Sequence, residues 1–117
     1  MSEAHFVRVC AADEIPDGHR EVFSINERWV AIFNVGGRYY AIEDLCTHDG
    51  NILTEDRDGN PVPLDEDAVI ACPRHGARFD IRTGEALSGP AGTTNLPFYG
   101  VRVQDGFIEV SSRPIRK

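Results

Sequence analysis

Cys46-Thr47-His48 is followed, after twenty-three further residues, by Cys72-Pro73-Arg74-His75. Each stretch offers one thiol and one imidazole within a short loop. Thiolate and imidazole are the side chains that soft and borderline transition metals bind best. A fold that uses both stretches must bring two distant loops together, so this pair constrains the chain more than any other feature. A structural zinc site can be built from two Cys and two His, but it usually pairs Cys with Cys and His with His. One of each in both loops suits a binuclear centre approached from opposite sides. A zinc-binding interaction module stays open as the alternative at this point. The chain has three cysteines, too few and odd in number for a disulfide scaffold. Cys10 has no histidine beside it and reads as a small hydrophobe on an early strand.

The rest of the pattern is that of short strands. Residues 5–10, 21–25, 29–35, 38–42, 68–71, 78–81, 85–87, 100–104 and 107–111 alternate or are rich in β-branched and aromatic residues. Gly36-Gly37 and Asp105-Gly106 supply the positive φ that two-residue hairpin turns require. No window keeps helical spacing over three turns, and at most one helical turn fits near residues 51–54. The expectation is one small all-β domain over residues 1–112, of eight to ten strands, with a short basic tail at 113–117 that frays. Two stretches lack strand character, residues 44–67 and 88–96. A long irregular segment in a small domain is usually functional, and the first of these carries Cys46 and His48.

At this length the motif acquires a family. Cys-x-His, then Cys-Pro-x-His-Gly-x-x-Phe-Asp ending at Asp80, resembles the Rieske [2Fe–2S] ferredoxins. The likeness runs on through Ile81-Arg82-Thr83-Gly84, the Gly89-Pro90 loop and Leu96-Pro97-Phe98, and spans at least residues 20–111. It implies an antiparallel β-sandwich or barrel of three layers with cluster-binding loops at one tip. It implies one [2Fe–2S] cluster per chain, with Cys46 and Cys72 on the inner iron and His48 and His75 on the outer iron. The Pro90 segment would cover the site as a third loop.

The resemblance further implies a one-electron carrier, not an enzyme in itself. It would take electrons from a flavin-dependent ferredoxin reductase and dock transiently with the terminal oxygenase of a ring-hydroxylating dioxygenase system. The length leaves no room for the oxygenase's own mononuclear-iron domain. A Rieske-like small subunit of assimilatory nitrite reductase is the alternative within the fold, although such subunits often lack the ligands. Two departures bear on potential. The extra cysteines of the cytochrome bc proteins are missing, and Ala77 and Phe79 stand where those high-potential proteins have Ser and Tyr. Fewer hydrogen bonds to the cluster make reduction less favourable, so the sequence predicts a low potential.

Charge and hydropathy exclude other classes. The formal charge is -7, which disfavours nucleic acid. The longest apolar runs are five residues, far short of a membrane span. No leader pattern precedes the first strand, so a monomer in a reducing cytoplasm is expected. Residues 43–67 hold nine acids and one base, whereas the rest of the chain has ten acids and eleven bases. This acidic stretch reads as a solvated loop, and beside a cluster it would steer a partner. It includes about half a dozen residues more than the family gap, around Asp58-Gly59-Asn60-Pro61.

Overall fold

The computed structural model describes residues 5–46, 52–65, 67–73 and 76–115. These hold ten strands and one 3-10 turn, with no α-helix. The strands are β1 (Phe6–Ala11), β2 (Arg20–Ile25), β3 (Arg28–Val35), β4 (Arg38–Glu43), β5 (Val69–Ala71), β6 (Arg78–Asp80), β7 (Ala86–Ser88), β8 (Phe98–Tyr99), β9 (Val101–Gln104) and β10 (Phe107–Ser111). They form three sheets, ordered β1-β10-β9, β2-β3-β4-β8 and β5-β6-β7. Every pairing is antiparallel. The fold is all-β, as the period-2 pattern predicts. The chain divides into two compact units, one of Met1–Glu43 with Pro97–Lys117 and one of Asp44–Leu96.

The first unit holds the three- and four-stranded sheets. Three two-residue turns set its registers. Asn26-Glu27, Gly36-Gly37 and Asp105-Gly106 all have positive φ at both positions, the twist that such hairpins need. Val30, Ile32, Ala41 and Tyr99 of one sheet meet Ile108 and Val110 of the other, with Ile15 from the connection after β1. The 3-10 turn Ala12–Glu14 in that connection was not legible in the sequence. Asn34 is buried, and it spends its polar atoms on Ile15 O (2.8 Å) and the Gly37 N–H (2.9 Å). Trp29, in contrast, is 61% exposed at the start of β3.

Two expectations change here. Simple alternation puts Cys10 with Phe6 and Arg8, but the β1–β10 register shifts between Arg8 and Cys10. This bulge lets both Val9 and Cys10 pack against the core. Burial raises the Cys10 thiol pKa first, and Glu14, Glu21 and Asp13 add to it. The start of the basic tail, expected to fray, is also hydrogen-bonded. The Ile115 N–H donates to Phe98 O at 2.7 Å, and Ser111 Oγ donates to Arg113 O at 2.8 Å.

Glu109 of β10 lies between two arginines. Arg102 Nε donates to its Oε1 at 2.7 Å, and Arg8 Nη2 donates to Oε2 at 3.1 Å. Each guanidinium also lies over a ring, Arg102 on Phe6 at 4.1 Å and Arg8 on Phe107 at 4.5 Å. The hydrogen bond from Arg102, then that from Arg8, hold the Glu109 carboxyl below its ordinary range. A depressed carboxyl stabilises the fold above the unfolded carboxylate pKa, and this is lost as pH falls through the folded value. Glu109→Gln should therefore melt lower than wild type at neutral pH, with the gap narrowing in acid. Melting temperatures taken across a pH series check this; a gap that widens in acid contradicts it.

The second unit contains the β5-β6-β7 sheet. Leu53, Ile70, Phe79 and Ile81 in this unit are completely buried. The acidic segment 55–61 is a closed turn. Glu55 bridges Pro61, and the Asp56 N–H donates to Asn60 O at 2.9 Å. Asp56 Oδ1 accepts from the N–H groups of Asp58 and Asn60, both at 2.9 Å.

Candidate cofactor centre

β4 leads through Asp44 into the loop that starts at Cys46. The Cys46 side chain is completely buried. β5 ends at Ala71, and Cys72 follows at 3% exposure. The second loop is tied by its own backbone: Cys72 N–H donates to Ala77 O at 2.7 Å, and Gly76 N–H to Cys72 O at 3.0 Å. Gly76 has φ +77, a conformation that L side chains resist. The loop then enters β6 through Ala77 and Phe79, both completely buried. His48 and His75 lie outside the described residues. Of the four expected ligands, the structure thus describes the two cysteines, both in the Asp44–Leu96 unit and both buried.

The third stretch, residues 88–96, is built against the second loop. A Cβ placed on Gly89 would lie 2.9 Å from Ala77 Cβ and 3.0 Å from Ala77 Cα. Thr93 closes the turn that follows, donating from Oγ1 to Pro90 O at 2.7 Å. Asn95 Oδ1 accepts from the Ala86 N–H at 2.9 Å, fixing the return to β7.

Sequence reasoning missed Asp44. Counted as part of a solvated acidic stretch, it is 8% exposed. Its Oδ1 accepts from the N–H groups of Leu53 (3.1 Å) and Thr54 (2.9 Å), and Oδ2 from Thr54 Oγ1 (2.8 Å). A charge count carries no sign of this, because burial depends on the partner ten residues on. Asp65 of the same stretch is exposed but carries its own hydrogen bonds. Its Oδ1 accepts from Asp67 and Val69 N–H groups, and Oδ2 meets Arg78 Nη2 at 2.9 Å. These bonds, led by that from Val69, lower its pKa. Asp80 is lowered as well, mainly by Arg82, whose Nε donates to it at 3.0 Å. Arg78 and Arg82 therefore both pair with acids of this unit.

The donor chemistry fits an iron–sulfur cluster. Two buried thiols, each at the mouth of a loop, are soft ligands in a setting that excludes water. The comparison with known families decides the matter: residues 5–104 match the Rieske [2Fe-2S] domain. The chain belongs to the Rieske [2Fe–2S] family. A Rieske domain binds a [2Fe–2S] cluster, so this is the cofactor, and the zinc module falls away.

Among Rieske relatives, the 3-phenylpropionate/cinnamic acid dioxygenase ferredoxin subunit of Escherichia coli (strain K12) is 39% identical over 103 residues, covering 87% of this chain and 89% of its own. Of the solved structures, a chain in the complex of reduced oxygenase and oxidized ferredoxin in carbazole 1,9a-dioxygenase superposes with a TM-score of 0.79 at 32% identity, over 96% of this chain and 97% of that one. The ferredoxin of carbazole 1,9a-dioxygenase from Nocardioides aromaticivorans IC177 gives a TM-score of 0.76 at 30% identity, over 91% and 96%. A putative nitrite reductase small subunit is similar at 17% identity, which speaks for the fold alone. None of the described helices is long and apolar enough to cross a membrane.

Proposed function

We propose that this Rieske protein is the ferredoxin of a ring-hydroxylating dioxygenase system. It accepts single electrons from a flavin-dependent reductase and delivers them to a terminal oxygenase. The observation that carries this is the near end-to-end match to a dioxygenase ferredoxin subunit. The same chain spans only 26% of a chain of the 2-oxoquinoline 8-monooxygenase component. Nothing in the reading requires the chain to bind the organic substrate.

Cys46 and Cys72 would hold one iron of the cluster, and His48 and His75 the other. The bound cluster supplies one reversible electron. The protein's part is to keep the thiolates dry, to aim both loops, and to present the histidines to the partner. The carrier works as a cytoplasmic monomer that docks transiently. Ala77 and Phe79 are buried and apolar, so neither side chain can donate a hydrogen bond to a sulfur. This supports a midpoint toward the low end of the Rieske range, about -150 mV.

The test is an anaerobic redox titration followed by EPR. The purified protein should be brown, gain a signal on uptake of one electron, and reduce a ring-hydroxylating oxygenase. A clearly positive midpoint overturns the low-potential reading. A reduced protein that passes no electron to such an oxygenase, yet co-purifies with a sirohaem subunit, overturns the carrier reading.

A further inference from the structure

The Asp44 carboxylate lies two residues before Cys46, and its three hydrogen-bond donors belong to Leu53 and Thr54. It therefore ties together the two ends of the segment that carries both Cys46 and His48 in sequence. We propose that Asp44 is a positioning residue that fixes the ends of this segment for the cluster. The inference rests on the ligand set assigned above.

The bonds are dry. Asp44, Leu53 and Thr54 are 8%, 0% and 2% exposed. A buried carboxylate accepting three hydrogen bonds is satisfied, whereas its removal strands two backbone N–H groups away from water. The far end of the segment is anchored further. Thr54 O accepts from the Val62 N–H at 2.8 Å, beyond the closed acidic turn. The residue two before Cys46 is thus tied to Leu53 and Thr54, seven and eight residues after it. A segment whose ends are already tied gives up less freedom when it takes a ligand, which raises affinity without adding a contact. Among the described residues, the second loop is closed by the backbone bond from Cys72 to Ala77.

Three variants test this in the cluster-loaded protein. Asp44→Asn keeps an oxygen for both N–H groups, and its amide can donate to Thr54 Oγ1. Asp44→Ala keeps nothing, and Thr54→Val removes only the hydroxyl. The readouts are the rate of iron loss to an iron(II) chelator and the EPR g-values after reduction. Asp44→Ala should lose iron roughly tenfold to a hundredfold faster, as partners that orient ligands do, with shifted g-values. Asp44→Asn should stay close to wild type, and Thr54→Val should fall between.

An Asp44→Ala protein that keeps its iron as long as wild type overturns the proposal. So does an Asp44→Asn protein that loses iron as fast as Asp44→Ala, since charge and not geometry would then matter. If Asp44→Ala does not fold, Thr54→Val carries the test, and unchanged iron loss in it overturns the proposal. A wild-type chain that binds no cluster overturns the ligand set first, and this inference with it.

Discussion

Replacing Cys72 by serine should give a colourless chain with no EPR signal after reduction. Cys72 is buried, and its loop is closed by backbone bonds to Ala77 and Gly76 that a serine keeps. The substitution thus removes the sulfur while leaving the loop that presents it. A serine hydroxyl is a hard donor and stays protonated at neutral pH, so it does not replace a thiolate on iron. Iron content should drop from about two atoms per chain to near none. Stability should fall with it, because a ligand that binds only the folded form adds its binding free energy to folding. Cys10→Ser is the control. Cys10 lies on β1, in the other unit, and burial and neighbouring acids raise its thiol pKa. That variant should be as brown as wild type. Full iron content in Cys72→Ser, or its loss in Cys10→Ser, would refute the ligand assignment.

The sequence showed the turns better than the strands. Gly36-Gly37 and Asp105-Gly106 state their backbone requirement in the residues themselves, so both hairpins and their registers were legible. β8 was not. Its two residues follow Pro97, and they count as a strand only because they pair with Ala41 and Ile42 of β4. The bulge in β1 was hidden for a similar reason, since period-2 reading assumes an unbroken register. The cofactor was legible because metal chemistry restricts residue type and spacing together. Asp44 was not, because a carboxylate looks the same in sequence whether it is solvated or accepts three buried hydrogen bonds. The net charge of the acidic stretch is therefore partly accounted for: Asp44 is buried, and the exposed Asp65 is offset by Arg78.

The third loop gives the other large effect. Gly89→Ala should destabilise the protein by several kcal/mol and loosen the segment packed on the second cysteine loop. Gly89 has φ +150, a region almost closed to residues with a side chain, at a cost of about 1–3 kcal/mol. The new methyl would also sit 2.8 Å from Thr93 Oγ1, 2.9 Å from Ala77 Cβ and 3.0 Å from Ala77 Cα. Ala77 cannot retreat easily, because its carbonyl holds the Cys72 N–H at 2.7 Å. Overpacking of this kind adds roughly 1–3 kcal/mol. Gly92, in the same loop, separates the two causes. It has φ +91 but no atom within 4 Å of an added Cβ, so Gly92→Ala should show the backbone strain alone. Urea unfolding of both variants measures the difference. If the two cost the same, contact with Ala77 is not what demands glycine at position 89. A larger loss in Gly89→Ala, with faster loss of cluster iron, means that the third loop braces the second one from outside.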